Sequence, residues 1–228
     1  MPWMTPLVLS FVAGYVDTAS FIHFSGLLAA HVTGNLVLFA VALSEDFEPV
    51  DHLKLVSIPI FICAVMAVCW LHDRLLPASW GIRRSACLLA MVSLGLITIG
   101  CISAAFQHEH TTFRHLALGI MLICTMAIQN TTHRLYPGFG PMSTVMTGNV
   151  TQLAVNTARG LAGKTPTQPD APWCSLRETL WLVGSFLTGC LLAIPMTNHF
   201  NNAALLVPGA ALGLRLLLSR RMAKGELP

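Results

Sequence analysis

The chain of 228 residues is too apolar to be a water-soluble protein. Hydrophobic residues make up 54% of it and charged residues only 10%, and its mean hydropathy is +0.67. In soluble domains about a quarter of the residues are charged, so we predict an integral membrane protein. The formal net charge of +3 is small and scattered, which argues against a nucleic-acid partner.

The first apolar segment, about residues 4–24, contains an acid. It lacks the basic start and clean cleavage site of a signal peptide, so we expect a retained span. A carboxylate at bilayer depth costs about 3 kcal/mol on insertion scales and should face the protein interior or water. Asp17 shares a helical face with Ser10, Gly14 and Phe21. It is predicted to be either a proton or cation site or a structural hydrogen-bond acceptor, for example for Asn130.

The second apolar segment, about 27–44, is interrupted by the polar sequence HVTGN. As a helix it would be only about 26 Å long, so its length does not decide whether it crosses the membrane. Thr33, Gly34 and Asn35 are predicted to break the helix and to satisfy the backbone groups that the break frees. His31, one helical turn from Asn35, is predicted either to titrate or to form an interhelical hydrogen bond. Asn35 either lines a path or caps the broken helix.

Two full spans are predicted next, at about 53–76 and 85–106. They are followed by QHEHTTFRH, residues 107–115, in which three histidines lie near Glu109. This spacing matches no strong zinc pattern, so we predict a solvated loop, no metal site and no cofactor. The seven cysteines have no C-x-x-C spacing and are expected to be reduced packing residues.

The fourth span, about 114–135, ends in a polar run that includes Gln129 and Asn130. A second interrupted segment, about 142–158, follows it. This segment repeats the motif and adds a glutamine one turn later. The predicted substrate-binding or pathway residues are therefore Asp17, His31, Thr33, Gly34, Asn35, Gln129, Asn130, Thr147, Gly148, Asn149 and Gln152. Asn149, like Asn35, is predicted either to line a path or to cap a broken helix.

The last two spans, about 177–197 and 203–219, carry small residues at the spacing of packed helices. Gly209 and Gly213 form a GxxxG pattern, and Ser185 and Gly189 share its spacing. Small residues let helix backbones approach closely. We therefore expect close packing within the bundle or, for Gly209 and Gly213, a homodimer interface.

The two motifs belong to an internal repeat with an offset of 114 residues. The matching residues are Gly26, Thr33, Gly34 and Asn35 with Gly140, Thr147, Gly148 and Asn149, and Asp17 aligns with Asn130 after one gap. We predict a single membrane domain, 1–228, built from two halves, 4–106 and 113–219. Three full crossings in each half would invert the halves, as in many transporters, whereas eight crossings in all would make the repeat parallel.

The distribution of basic residues distinguishes these topologies, because cytoplasmic loops collect Lys and Arg. If both motif segments return to the side that they enter from, only Lys54 and Arg114 lie outside. Eight crossings would instead place four arginines outside: Arg74, Arg83, Arg84 and Arg134. We predict an all-α bundle of six full spans plus two re-entrant or broken segments, with both termini cytoplasmic.

The two motif regions carry a family resemblance. The sequences GYVDTASF and HVTGN, together with AIQNTTHR and STVMTGNVTQLA, resemble the YoaK-like family of bacterial inner-membrane proteins, a domain of unknown function. The resemblance covers nearly the whole chain. It implies a polytopic bacterial inner-membrane protein with six spans, and it implies no substrate.

Asp17, the paired glycine breaks and the internal duplication predict a transporter or channel for a small polar solute or ion. Its site is expected at the interface of the two halves. Two alternatives stay open, an intramembrane enzyme acting on a lipid and a scaffold without flux. An enzyme would use Asp17 and His31 as its acid–base pair. The expected partners are membrane lipids and one unidentified small solute.

Overall fold

The computed structural model describes residues 4–44, 51–81, 83–106, 112–139, 141–163 and 176–223, and within these ranges all regular structure is helical. The helices are α1 (Met4–His23), α2 (Gly34–Ala42), α3 (His52–Leu75), α4 (Arg83–Ala105), α5 (Thr112–Leu135), α6 (Met146–Leu161), α7 (Leu176–Phe200) and α8 (Leu206–Ala223). Short 3₁₀ turns lie at Ala78–Trp80, Pro137–Phe139 and Asn201–Leu205. The all-α prediction is confirmed.

Six of the described helices are long and apolar enough to cross a membrane. They are α1, α3, α4, α5, α7 and the helical segment Ala203–Arg221 that contains α8. The two motif helices are shorter, since α2 has 9 residues and α6 has 16. At 1.5 Å per residue they are about 14 and 24 Å long, less than the roughly 30 Å of a hydrocarbon core. The prediction of six helices long enough to span the membrane is confirmed for the described residues, and the two motif segments form shorter helices.

Side-chain contacts show that α1 runs parallel to α7. In the first half of both helices, the Ser185 hydroxyl donates to the Leu7 carbonyl at 2.7 Å. Near their ends, Nε2 of His23 lies 3.3 Å from the Thr197 carbonyl oxygen. In the same way α3 runs parallel to α5, because Leu53 approaches Gly119 near the starts of these helices, and His72 meets Tyr136 near their ends.

The remaining long helices are antiparallel to their neighbours. Gln129 in the last third of α5 donates to the Leu9 carbonyl in the first third of α1 at 3.0 Å. The start of α8 packs on the end of α4 at Gly100, and Ser93 nearer the start of α4 donates to the Gly209 carbonyl at 2.7 Å. Consequently α5, α7 and α8 run opposite to α1, α3 and α4, respectively.

The packing partners correspond in the same order. Helix α1 packs on α7 and α8, as α5 packs on α3 and α4, while α2 packs on α3 as α6 packs on α7. Helices α4 and α8 pack on each other at the centre of this scheme. An inverted repeat of three long helices and one short helix would produce this arrangement.

Glycines allow the closest helix contacts. A Cβ atom on Gly14 would overlap the Phe186 carbonyl oxygen of α7, and one on Gly189 would overlap the Phe11 carbonyl oxygen of α1. A Cβ on Gly209 would lie 2.9 Å from Ile97 of α4. Gly209 therefore packs inside the bundle, as does Gly213 against Ser93. A homodimer through this pair stays a prediction.

Candidate functional site

A left-handed turn ends α1 and reverses the chain. Ser25 and Gly26 have φ values of 50° and 78°, and the Gly26 N–H donates to the Phe21 carbonyl at 3.0 Å. Residues 24–33, here called the return segment, follow without forming a helix. His31 therefore precedes α2 instead of lying on it, so the predicted helical spacing between His31 and Asn35 is wrong.

The return segment brings two hydrogen-bond donors to Asp17. The Ala30 N–H donates to Oδ1 at 2.7 Å, and Nδ1 of His31 is hydrogen-bonded to Oδ2. The side chain of Asp17 is 8% exposed and that of His31 24%. The other ring nitrogen of His31, Nε2, is buried without a hydrogen-bond partner among the described residues. Asp17 thus orients the imidazole and leaves its second nitrogen without a hydrogen bond among the described residues.

Asp17 and His31 line an open cleft of about 530 Å³, here called the Asp17 cleft. Its other lining residues are mainly apolar and come from α1, the return segment, α6 and α7: Thr18, Phe21, Ile22, Leu28, Met146, Phe186 and Cys190. The volume falls within the range of about 300–1,000 Å³ that is usual for small-molecule sites. Residues from both predicted halves of the chain therefore form one cleft.

Asn35 holds the return segment against the start of α2. Its Oδ1 accepts the Leu28 N–H at 2.8 Å, and its Nδ2 donates to the Leu28 carbonyl at 2.9 Å and to Ser57 of α3 at 3.0 Å. A Cβ on Gly34 would come within 2.6 Å of the Leu28 side chain, so glycine permits this approach. Asn35 is fully buried and is not among the residues that line the Asp17 cleft. This geometry favours a structural role over the path-lining role, although Asn35 bonds the backbone of the return segment and does not cap the end of a helix.

The second motif repeats this arrangement. Nδ2 of Asn149 donates to the Met142 carbonyl at 3.0 Å, and Met142 is the counterpart of Leu28 at the repeat offset. Asn149 is buried at the start of α6, as Asn35 is at the start of α2. The asparagine of each Thr-Gly-Asn motif therefore binds the backbone seven residues earlier in its own segment.

Asn130 corresponds in structure to Asp17. Its Oδ1 accepts a hydrogen bond from the Thr144 hydroxyl, and Thr144 is the counterpart of Ala30. Its Nδ2 donates to the Met126 carbonyl at 3.1 Å. Asn130 thus forms its hydrogen bonds within its own half. Asp17 accepts hydrogen bonds from Ala30 and His31, and not from Asn130 as the sequence suggested.

The two halves differ in charge at this place. The first half has a carboxylate with an imidazole beside it, whereas the second has a neutral amide, and Val145 stands at the position of His31. In both halves, nevertheless, a side-chain oxygen of the long helix accepts a hydrogen bond from the equivalent residue of the segment that follows, a backbone N–H in the first half and a hydroxyl in the second. A link of this kind therefore requires neither the charge of Asp17 nor the ring of His31.

A second buried polar cluster adjoins Asn130. Nε2 of Gln129 lies 3.2 Å from the Ser143 hydroxyl, which in turn lies 3.4 Å from Nδ1 of His133. Oε1 of Gln129 and Nε2 of His133 have no hydrogen-bond partner among the described residues. Sequence reasoning selected Gln129 but missed His133, although the spacing of four residues on one helix could have indicated a shared face.

An apolar layer of α1 separates the two clusters. Gln129 reaches α1 at the Leu9 carbonyl, and Asp17 lies eight residues further along the helix, about 12 Å away. Val12, Ala13 and Val16 between them are fully buried. The polar groups of the two clusters are therefore not continuous.

The other predicted pathway residues lie apart from the Asp17 cleft. Thr33, Thr147 and Gly148 are exposed, and Gln152 donates to Asn156 on its own helix at 2.8 Å. Of the predicted set, the structure brings only Asp17 and His31 together in the cleft.

The histidine-rich loop lies largely outside the described residues, including His108, Glu109 and His110. His115 belongs to α5, where its ring centroid is 5.0 Å from that of Phe24. Within the described ranges, no group of three or more His, Cys, Asp or Glu residues could hold a metal ion.

A polar network that sequence reasoning missed joins the ends of α3 and α5. Nε2 of His72 lies 2.8 Å from the Tyr136 hydroxyl, and Nδ1 lies 2.8 Å from the Asp73 carboxylate. Arg84 of α4 donates to the Leu76 carbonyl at 2.9 Å. Burial raises the pKa of the Tyr136 hydroxyl. The charges of two neighbours act on this pKa in opposite directions, since Arg84 lowers it and Asp73 raises it. The network links the ends of three helices and lies outside the Asp17 cleft.

Comparison with known proteins places the chain in a family. Residues 5–218 match the model of the family described as "Protein of unknown function (DUF1275)". The chain belongs to this family. It is 26% identical over 198 residues to the UPF0700 transmembrane protein YoaK of Bacillus subtilis (strain 168), over 85% of this chain and 84% of YoaK. No solved structure matches the chain.

Membership of the DUF1275 family confirms the YoaK-like resemblance that the motifs indicated. The relative is described as a transmembrane protein, and the chain has six apolar helices of membrane-spanning length among its described residues. This DUF1275 protein is therefore a multi-pass membrane protein.

Proposed function

We propose that this DUF1275 protein is a transporter that carries a small polar solute or ion across the membrane, with its binding site in the Asp17 cleft. The observation that carries the proposal is the partly buried Asp17–His31 pair in a cleft lined from both halves of the chain. Ionisable groups at membrane depth are costly and usually belong to solute, ion or proton pathways. Binding sites where inverted halves meet are common in secondary transporters.

The second half of the chain supports a functional role for the charge. Asn130 and Thr144 form a link at the equivalent place without a carboxylate or an imidazole. A purely structural Asp17 would therefore be replaceable by the less costly amide. The retained acid and its histidine are better explained by binding or proton transfer.

The apolar layer of α1 supports a carrier over a permanently open channel. Val12, Ala13 and Val16 are fully buried between the Asp17 cleft and the Gln129 cluster. A solute would need a rearrangement of the two halves to pass this layer. Rocking of one inverted repeat against the other supplies such a movement in many transporters.

We also propose that the protein lies in the bacterial inner (plasma) membrane with both termini in the cytoplasm. The helix directions place most of the arginines on the long helices at the end of the bundle where α1 starts: Arg74, Arg83, Arg84, Arg134, Arg177, Arg220 and Arg221. Lys54 and Arg114 lie at the opposite end. The positive-inside rule assigns the arginine-rich end to the cytoplasm. The Asp17 cleft then lies in the outer part of the bundle, because Asp17 is near the end of α1.

Flux measurements on purified protein in proteoliposomes test the proposed function. We expect uptake, or a current on a solid-supported membrane, for at least one member of a panel of small cations, amines, amino acids and sugars. Asp17→Asn should lower this flux about tenfold or more, which corresponds to about 1.4 kcal/mol. Thr157→Ala is the matched control, since Thr157 is exposed on α6 and outside the cleft, and it should leave flux unchanged.

Two results together would overturn the proposal. One is a wild-type protein that is folded by circular dichroism and moves no member of the panel. The other is an Asp17→Asn variant that behaves like the wild type in cells that express it. A non-transporting membrane scaffold would then be the better interpretation.

A further inference from the structure

The lining of the Asp17 cleft indicates the kind of solute that it accepts. Two aromatic rings and a thioether face it, from Phe21, Phe186 and Met146, and Ile22 and Leu28 add aliphatic surface. Such walls suit an apolar ligand body, and the faces of aromatic rings attract cations. A strongly hydrated sugar or amino acid would lose its water here without many hydrogen bonds in return.

The charge of the cleft selects a cation. Among the described residues that line it, Asp17 is the one acid, and no Lys or Arg accompanies it. An ionised carboxylate accepts hydrogen bonds only, so Nδ1 of His31 carries the proton that joins the pair. With a neutral ring the pair has a net charge of −1, and it repels anions.

Nε2 of His31 supplies the hydrogen bond for the head of the ligand. In the neutral ring this nitrogen is an acceptor, and it is buried with no partner among the described residues. A buried acceptor without a donor is unfavourable, so a ligand N–H that reaches it gains free energy. The Asp17 carboxylate on the other side of the ring balances the positive charge of that ligand.

We propose that the Asp17 cleft binds a lipophilic ammonium ion, that is, a protonated amine with an apolar body, and that a proton on His31 excludes it. This inference rests on the proposed transport function and identifies the solute class of the same site. Protonation removes the Nε2 acceptor and brings the net charge of the pair to zero. The ammonium ion and the proton therefore compete for one site, as exchange of one for the other requires.

The surroundings of the pair contain few other titratable groups among the described residues. Helix α7 contributes the Cys190 thiol, which donates to the Gly14 carbonyl at 3.4 Å, and α6 contributes Met146, which does not titrate. Charged and titratable groups on α1, α5 and α8 are engaged elsewhere: His23 with Thr197, His115 against Phe24, His133 with Ser143, and Arg215 with Thr5. His31 is thus the group whose proton we expect to control binding.

Equilibrium binding to the full-length protein in phosphatidylcholine nanodiscs tests the proposal. The probes are phenylbutylammonium, the neutral phenylbutanol and the anionic phenylbutanoate, which share one apolar body. At about pH 8 we expect the ammonium probe to bind at least about tenfold more tightly than the other two. At about pH 5.5 its affinity should fall about tenfold or more, although the probe itself stays protonated throughout.

Two variants separate the roles of the pair. Asp17→Asn should abolish the preference for the cation. His31→Gln keeps an acceptor without a titrating group, so it should retain binding at high pH and lose the pH dependence. The matched control Thr157→Ala, at an exposed position of α6 outside the cleft, should behave as the wild type. If Asp17→Asn does not fold, the wild-type pH series and His31→Gln still decide the question.

Several results would overturn this inference. Equal affinities for the three probes would do so, as would wild-type binding that does not change with pH. If phosphatidylethanolamine in the nanodiscs displaces the probe, the site takes a lipid headgroup, and the assignment to a soluble amine is wrong. Flux of another solute without ammonium binding would refute this inference but not the proposed transport function. Ammonium binding without any flux would refute the transport function but not the ammonium-binding site.

Discussion

Asn130 occupies in the second half of the chain the place that Asp17 occupies in the first, and each accepts a hydrogen bond from the segment that follows its helix. The donor to Asp17 Oδ1 is a backbone N–H, and the donor to Asn130 is a threonine hydroxyl. The protein thus contains a neutral version of its own acidic site. This internal comparison allows the structural and functional roles of Asp17 to be tested separately.

Asp17→Asn should leave the fold nearly as stable as the wild type. An asparagine oxygen can still accept the Ala30 N–H, so the main loss is the charge-assisted bond to His31. We expect a destabilisation of about 1 kcal/mol, or roughly 2–4 °C in Tm, measured by thermal unfolding in nanodiscs.

The reciprocal variant is the control for this comparison. Asn130→Asp would introduce a buried carboxylate in the half where Val145 replaces the counterpart of His31, and should cost about 3 kcal/mol or more. A larger loss of unfolding free energy in Asp17→Asn than in Asn130→Asp would contradict the argument that the charge of Asp17 is not needed for stability.

Asn35→Ala should destabilise the protein by about 2–4 kcal/mol. It removes three hydrogen bonds, of which two satisfy the Leu28 backbone and one satisfies the buried Ser57 hydroxyl. Thr33→Ala is the matched control, because Thr33 precedes α2 without making a side-chain capping bond. Its effect should stay within about 0.5 kcal/mol. Equal Tm values for the two variants would refute the clasping role of Asn35.

Gly189→Ala should weaken the contact between α1 and α7. The added methyl group would overlap the Phe11 carbonyl oxygen, which is part of a helix backbone and cannot rotate away. We expect a loss of about 1–3 kcal/mol from the forced separation of the helices. On the same helix, a methyl group on Gly184 would meet no neighbouring atom of the described residues within 4 Å, so Gly184→Ala should be neutral or stabilising by up to about 1 kcal/mol. Thermal unfolding of both variants tests whether Gly189→Ala has the lower Tm.

Labelling of single cysteines in a cysteine-free background tests the topology. With six spans and cytoplasmic termini, a membrane-impermeant maleimide added to intact cells should label Ser44→Cys after α2 and not Ser79→Cys between α3 and α4. Both positions are exposed, so accessibility to the reagent is not limited by burial. Eight spans with the N-terminus inside would reverse the pattern, because both motif segments would then cross the membrane.

The long helices could be predicted from the sequence because membrane insertion depends on a local property, the length of an apolar run. Each predicted span lies within a few residues of a helix in the structure, for example about 114–135 against Thr112–Leu135. The breaks at the two motifs were predictable for a similar reason. Glycine and asparagine change the local backbone and its hydrogen bonding wherever they are placed.

The sequence by itself determined that this is a helical membrane protein with six long apolar helices, two shorter motif segments and an acid in the first helix. Only the tertiary structure decided which polar groups meet. Asp17 pairs with His31 because a left-handed turn at Ser25 and Gly26 folds the chain back on α1, and α7 closes the cleft from the far part of the sequence. Asn35 and Asn149 face their own segments instead of the cleft. A hydrogen bond depends on distances between atoms, and for residues far apart in sequence those distances follow from the packing of the whole bundle.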